Sequence, residues 1–102
     1  MLAVLAARGL YEEQPELWRL GESGRARTIE DFNHHFRALQ SLNAAAFAAH
    51  VAYCENLFAA RGFPKQWLDD AWRWMRTVIR RELPTPCAVA TLAVMDAVPP
   101  GE

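Results

Sequence analysis

The segment FPKQWLDDAWRWMRTVIRRELP, from Phe63 to Pro84, decides the fold. It contains three of the four tryptophans of the chain and has a proline near each end. An α-helix turns about 100° per residue, which places its apolar residues in two neighbouring stripes: Trp67, Ala71, Trp74 and Val78, then Leu68, Trp72, Met75, Ile79 and Leu83. This apolar arc is too broad for one neighbouring helix to cover. The segment is therefore predicted to lie between two neighbouring helices, or between one neighbour and a partner protein.

The same helix carries the residues that best suit contact with a partner. Trp67 and Trp74 are candidate anchors, because tryptophan offers a large apolar area together with one polar group. Arg73, Arg76 and Arg80 follow at three- and four-residue steps on the polar side. They suit either a solvated face or contact with an acidic partner or a phosphate. We expect the second stripe to form the core face, and the first to be covered by a terminal helix or by a partner.

Length and composition are those of one globular domain. The chain has 102 residues, of which 52% are apolar and 23% are charged. We expect a single helical domain over residues 1–102, with residues 98–102 as a frayed tail. The formal net charge of -1 is against a nucleic-acid-binding protein, which would normally carry a basic excess. The apolar run in MLAVLAAR is too short for a signal peptide or a membrane span, so we expect a cytoplasmic protein without a membrane partner.

Helical periodicity extends over most of the chain, and no segment alternates with period two. Helices are predicted over residues 2–13, 28–42, 44–61, from the tryptophan-rich segment to residue 83, and over 86–97. PELWRL (15–20) is a short extra piece, and GESGR (21–25) is predicted to be a loop because its glycines and serine favour turns. The fold class is therefore all-α, an antiparallel bundle of four main helices plus a short extra helical piece.

Several residues are typical of helix ends. Thr28 begins TIED, which resembles a capping box, and Asn43 is placed to cap the helix that follows it. Gly62 is predicted to end that helix in a Schellman turn. Thr85 and Pro86 resemble a cap and a first-turn proline, and the last helix is expected to bury Val89, Leu92 and Ala93.

The histidines and cysteines leave two interpretations open. His50 and Cys54 are four residues apart, a spacing that can place two ligands on one metal. No second pair completes a tetrahedral set, and HExxH and CxxC motifs are absent, so we predict no metal site and a core cysteine beside a boundary histidine. His35 is either a core histidine bonded to a carbonyl or carboxylate, such as Asp31, or a switch sensitive to pH or to a ligand. In the second case, His35, His50 and Tyr53 are the candidate ligand residues.

Cys54 and Cys87 both fall in apolar helical segments. They are expected to be free residues of the core rather than a disulfide pair.

No catalytic apparatus is recognisable in the sequence. Ser23 and Ser41 lack a nucleophile motif, and there is no glycine-rich phosphate loop. We therefore predict a non-enzymatic protein without a cofactor.

From Pro15 to Pro84 the chain resembles a helical regulatory module found ahead of bacterial cobalamin-binding and other signalling domains. The resemblance rests on PELWRLGESGR, on Asp31 and His35 in DFNHHFRAL, on FAAHVAY, on RGFP from Arg61 to Pro64 and on Leu83–Pro84. His50 and Tyr53 depart from that pattern, where an aromatic residue and a tryptophan are usual. The resemblance implies a sensory or protein-interaction module. Cobalamin itself is not expected, because the DxHxxG loop of the relevant cobalamin-binding domains is absent.

These observations predict a non-enzymatic regulatory or protein–protein interaction module of bacterial signalling that self-associates or binds a protein partner. The alternative is a small-ligand or metal sensor with an inter-helix pocket near His35, His50 and Tyr53. A remnant of a larger sensor, kept as a scaffold, is a third interpretation.

Overall fold

A computed structural model describes residues 1–97, which are almost entirely helical. The elements in chain order are α1 (Leu2–Glu13), a 3-10 helix (Pro15–Leu20), α2 (Gly21–Leu39), α3 (Ala44–Ala60), α4 (Lys65–Glu82) and α5 (Thr85–Asp96). No strand occurs among these residues. The prediction of an all-α fold is confirmed. The expected frayed tail, residues 98–102, lies outside the described residues.

Four of the α-helices form a closed ring of contacts. α1 packs against α2 and α4, and α3 completes the ring by packing against the same two helices. This arrangement agrees with the predicted bundle, to which the 3-10 helix is the short extra piece. α5 is one further α-helix, and it packs onto α2, α3 and α4.

The tryptophan-rich helix α4 lies at the centre of this arrangement. Leu68, Met75 and Ile79 are at most 1% exposed, which confirms the predicted core stripe. Ala71 and Val78, from the neighbouring stripe, are buried as well. The two stripes are buried or partly buried because α4 packs against α1, α3 and α5. The prediction that α4 lies between neighbouring helices is therefore confirmed.

The start of α2 differs from the prediction. GESGR was expected to be a loop ahead of a helix capped by Thr28, but α2 begins at Gly21 and runs through both. Gly21 takes a φ of 71°, a conformation that costs glycine little, and so turns the chain from the 3-10 helix into α2. The Thr28 hydroxyl donates to the Gly24 carbonyl at 2.9 Å inside the helix. Packing of α2 on α1 outweighs the low helix propensity of two glycines, about 1 kcal/mol each.

The ends of α3 follow the predicted pattern. The Asn43 side-chain oxygen accepts a hydrogen bond from the Ala46 amide at 3.0 Å, so Asn43 caps α3. At the other end, Gly62 has a φ of 68°, and the Phe63 amide donates to the Phe58 carbonyl at 3.0 Å. This is the bond of a Schellman turn. Both predictions are confirmed.

α5 is shifted and turned relative to the prediction. It begins at Thr85, with Pro84 as its cap and no side-chain cap from Thr85. The buried residues are Ala88, Val94 and Met95, whereas Val89 is 63% exposed. Of the three residues expected to be buried, Leu92 packs partly buried against the core, whereas Val89 and Ala93 are exposed. Nearly every α5 residue is small or apolar, which leaves no polar stripe to set the orientation. Cys87 also lies on the exposed side, contrary to the expected core position, and both cysteines are free.

A buried carboxylate links α4 to the end of α1. Asp70 is 7% exposed and accepts hydrogen bonds from the side chains of Gln66 at 2.9 Å and Arg73 at 3.2 Å. Gln14, which follows α1, donates a further bond to it. A buried charge is tolerated only when hydrogen-bonded. Gln66 and Arg73 satisfy Asp70 within α4, and the bond from Gln14 ties the end of α1 to this helix.

Candidate functional site

A cavity of about 710 Å³ opens between α2, α3, α4 and the 3-10 helix. Its lining is mostly apolar, with Leu17, Leu57 and Leu68 among the contributors. His35 and Cys54 are the buried polar groups of the lining. An apolar pocket of this size with a few convergent polar groups is the usual form of a small-molecule site.

Three side-chain donors converge on the wall of this cavity. Nδ1 of His35 lies 2.8 Å from Nε2 of His50. Sγ of Cys54 lies 3.5 Å from the same His50 nitrogen and 4.0 Å from His35 Nδ1. All three atoms are within 4.8 Å of one another, the spacing expected of ligands to one metal ion. We call these three residues the His–His–Cys cluster.

Helix geometry explains how the cluster forms. His50 and Cys54 are one turn apart on α3, so both face α2. His35 lies on the buried face of α2, three residues after Phe32 and four before Leu39. His34, its neighbour in sequence, points about 100° away and is exposed, 3.9 Å from the Glu30 carboxylate. The two adjacent histidines therefore lie in different surroundings.

An aromatic wall surrounds the cluster. The ring centroids of His35 and Trp72 are 4.7 Å apart, and those of Phe47 and Trp72 are 5.9 Å apart. Phe32 meets His35 edge to face at 5.9 Å. Such contacts fix the orientation of flat rings. The imidazole of His35 is therefore held in place by packing, with its Nδ1 aimed at α3.

Burial keeps the cluster uncharged at neutral pH. It lowers the pKa of His35 to about 3, helped by the charges of His50 and His34. The pKa of His50 is lowered mainly by the same loss of hydration. The pKa of the Cys54 thiol is raised to about 11 by burial and by the nearby carboxylates of Asp31 and Glu55. Neutral imidazoles and a protonated thiol make a poor nucleophile–base pair, because a reactive cysteine needs a lowered pKa.

His35 does not use the partner considered from the sequence. The carboxylate of Asp31 was a candidate, but the hydrogen-bonding neighbour of His35 is His50. Asp31 lines the same cavity, and burial raises its pKa. Asp31 therefore adds a half-buried carboxyl group to the lining of the cavity.

Tyr53 lies at the rim of the cavity rather than beside the cluster. Its side chain is exposed, as are those of Leu20 and Phe63, and all three line the opening. The structure thus brings together His35 and His50, and it places Tyr53 at the entrance.

The predicted anchors on α4 have different surroundings. The Trp74 ring packs against Gly9 of α1, and the Arg73 guanidinium lies over it at 5.7 Å. Its Nε1 is buried without a hydrogen-bond partner in the described part of the chain. Trp67 is partly buried, packs against Phe63 at 5.5 Å between centroids and lines the cavity. Trp74 is thus covered by the N-terminal helix, the outcome expected of an ordinary bundle.

Two of the three predicted arginines are engaged within the chain. Arg73 pairs with Glu13 and Asp70, and Arg76 pairs with Asp96 at 3.1 Å. Arg80 lies on the exposed surface. The first two arginines are tied to α1 and α5, which favours a structural role over a common binding surface.

Comparisons with known proteins give no match: no family model, no curated protein and no solved structure is similar to this chain. Across residues 1–97, none of the helices combines the length and apolar character that crossing a membrane requires.

The sequence pairs His50 with Cys54 by their spacing, and it groups His35 with His50 and Tyr53 as candidate ligand residues. It does not bring His35, His50 and Cys54 together as one set of three. The proximity of His35 to Cys54 depends on the register between α2 and α3, which no local pattern encodes. The available signal was that His35 shares the face of Phe32 and Leu39, the face that had to meet another helix.

Proposed function

We propose that this protein is a non-enzymatic sensory module that binds a small ligand in the cavity between α2, α3 and α4. The observation that carries the proposal is the cavity itself, mostly apolar and walled on one side by the His–His–Cys cluster. Binding sites of small molecules combine an apolar interior with a few oriented polar groups. The resemblance to regulatory modules of bacterial signalling proteins supports the same interpretation.

The position of the cavity also suits signalling. Its lining comes from elements that are distant in sequence, from Leu10 on α1 to Ala71 on α4. A ligand that fills the cavity would therefore favour the closed arrangement of these helices over more open ones. A ligand shifts an equilibrium by as much as its affinity differs between two states. Such a shift is the elementary step of a sensor.

A dye-binding experiment tests the pocket directly. The fluorescent dye 1-anilinonaphthalene-8-sulfonate, which has apolar aromatic rings and one sulfonate group, is expected to bind the folded protein at one molecule per chain. Leu57 lines the cavity on α3, so the variant Leu57→Trp should fill it and weaken dye binding at least tenfold. Val89→Trp is the matched control, because Val89 is 63% exposed on α5 and contributes nothing to the lining. Equal binding by the two variants, or no binding by the unaltered protein, would overturn the proposal.

A second candidate function is protein–protein interaction, including self-association, at the rim of the cavity. It is favoured by the exposure of Leu20, Tyr53 and Phe63 around one opening. Exposed aromatic and aliphatic groups around a groove are common in interfaces. Sedimentation velocity at micromolar concentration tests the homo-oligomer, and the double variant Leu20→Glu, Phe63→Glu should dissociate it. A strictly monomeric profile of the unaltered protein would contradict self-association.

A further inference from the structure

We propose that the His–His–Cys cluster is a zinc-binding site with three protein ligands and one open position facing the cavity. The proposal deepens the proposed function, on which it rests, by naming the class of ligand as a thiophilic divalent metal ion. The ligands are Nδ1 of His35, Nε2 of His50 and Sγ of Cys54.

The distances between the donor atoms fit such a centre. Zinc binds histidine nitrogen at about 2.0–2.1 Å and cysteine sulfur at about 2.3 Å in tetrahedral geometry, which separates two nitrogens by about 3.3 Å and nitrogen from sulfur by about 3.5 Å. The cluster has 2.8 Å between its nitrogens, and 3.5 and 4.0 Å between sulfur and each nitrogen. Each separation lies within about 0.5 Å of the tetrahedral value. Small side-chain rotations are sufficient to close the site.

The three side-chain nitrogen and sulfur atoms that meet in the cluster also favour a bound cation. Nε2 of His50 has both His35 Nδ1 and Cys54 Sγ within hydrogen-bonding range. If one N–H or S–H hydrogen lies between two of these atoms, the third atom faces a lone pair instead of a hydrogen. A cation bound by all three atoms, above the plane that they define, would satisfy their lone pairs at once. Binding would release the thiol proton, as is usual when a cysteine becomes a metal ligand.

The donor set selects the metal by its chemistry. Two imidazoles and one thiolate suit borderline and soft ions, whereas Mg²⁺ and Ca²⁺ require oxygen ligands. Zinc with one thiolate keeps a net positive charge of one, and the carboxyl group of Asp31 lies in the same cavity to offset it. The indole of Trp72 packs edge to face against the imidazole of His35 and helps to fix the orientation of this ligand.

Three protein ligands leave a position for a fourth donor. Zinc sites that keep such a position bind water or an external molecule there. In this chain the open position faces the mostly apolar cavity. The external molecule expected is therefore an apolar compound carrying one metal-binding sulfur, nitrogen or oxygen atom.

The test uses the full-length protein and two metal ions. Titration with Co²⁺, a coloured substitute for Zn²⁺, should give a thiolate-to-cobalt charge-transfer band and the visible bands of a tetrahedral ion, saturating at one per chain. Competition with a chromophoric chelator then gives the zinc affinity. Cys54→Ser should abolish the charge-transfer band and weaken zinc binding roughly 100-fold or more, since even the loss of outer contacts costs 10–100-fold. His35→Gln and His50→Gln should weaken binding to a similar degree.

The chain supplies two matched controls. Cys87→Ser removes the exposed free cysteine of α5, and His34→Gln removes the exposed histidine beside His35. Both should bind cobalt and zinc as the unaltered protein does. Loss of the band in Cys87→Ser instead of Cys54→Ser, or no stoichiometric binding at micromolar metal by the unaltered protein, would overturn the proposal.

Two further measurements keep the outcomes separate. Far-ultraviolet circular dichroism shows whether each variant is folded, and His50→Gln, at a half-buried position, is the variant least expected to unfold. Dye binding to the cavity is measured in the same samples. If the dye binds and the metal does not, the zinc site fails and the sensory pocket stands. If the metal binds and the dye does not, the pocket proposal fails and the metal site stands alone.

Discussion

Gly9 lies where α1 crosses α4, and the Trp74 ring occupies the space that a β-carbon would need. A β-carbon at this position would lie 2.4 Å from two ring atoms. From helix propensity alone, Gly9 is expected only to weaken α1, by about 1 kcal/mol relative to alanine. In the structure, the missing side chain of Gly9 lets α1 and α4 approach each other closely.

We expect Gly9→Ala to destabilise the protein. Its gain of about 1 kcal/mol in helix propensity is outweighed by overpacking, which costs about 1–3 kcal/mol. In a Trp74→Leu background the space is freed, so the same change should become stabilising. The free energies of unfolding of the four proteins, measured in urea, form a double-mutant cycle. Equal effects of Gly9→Ala in both backgrounds would show that the contact does not limit packing.

His35 makes the stability of the metal-free protein depend on pH. Its pKa is about 3 in the folded protein and 6.5 as the ordinary value. The unfolded chain therefore binds the proton first as the pH falls, so the stability from neutral His35 is complete above about pH 6.5 and is lost as the pH falls towards 3. The lowered pKa of His50 likewise makes the protein less stable as the pH falls. The raised pKa of Asp31 has the opposite effect, because it makes the protein less stable as the pH rises through and above the ordinary value of 3.8.

Urea midpoints in the presence of a chelator, from about pH 7.5 to about pH 5, measure this dependence. The slope should approach about 1.4 kcal/mol per pH unit for each proton taken up on unfolding. His35→Gln should flatten it, whereas His34→Gln should retain most of it. A slope that survives His35→Gln would assign the effect to other groups.

At the scale of the elements, the buried Asp70 network shows how α1 and α4 are held together. We expect Asp70→Ala to cost about 2 kcal/mol, because it leaves the donors of Gln14 and Gln66 without their acceptor. This figure is below the 3–5 kcal/mol of a fully buried ion pair, since Arg73 is half-exposed.

The neighbouring carboxylate provides the control. Asp69 is exposed, so Asp69→Ala should change the free energy of unfolding by no more than about 0.5 kcal/mol. Chemical denaturation of both variants checks the prediction. Similar losses in the two would mean that Asp70 contributes no more than a surface charge.

The elements also show how far the sequence predicts this structure. α3 and the core stripe of α4 were predicted because caps, glycine and periodicity agree there. The start of α2 was not predicted, because its glycines favour a turn locally whereas its packing on α1 favours a helix. The buried face of α5 was not predicted correctly because its sequence has no polar stripe to set the orientation of the helix. The cluster was predicted in part: the α3 pair follows from spacing, and the third donor depends on tertiary register.

For the whole molecule, metal binding predicts a change in thermal stability. A ligand that binds only the folded state stabilises it by about 2.7 kcal/mol at 100 times its dissociation constant. For a chain of this length, each kcal/mol raises the melting temperature by about 4–8 °C. Zinc at that concentration should therefore raise the melting temperature by roughly 10–20 °C, as measured by calorimetry. The same addition to Cys54→Ser should have little effect, and an equal shift in that variant would indicate binding elsewhere.

The outer donors of the cluster, on His35 and Cys54, are only 19 positions apart, within the hairpin of α2 and α3. The short connection between these helices is turned by Leu42, whose φ is 52°. Contacts between residues close in sequence form quickly, because little chain entropy is lost on closing the loop.

We therefore expect this hairpin to be organised early in folding, before α1 docks onto α4. Pulse-labelling hydrogen exchange should protect α2 and α3 amides first, and simultaneous protection of all helices would contradict this order. The part of the chain that gathers the metal donors would then also be the nucleus from which the molecule assembles.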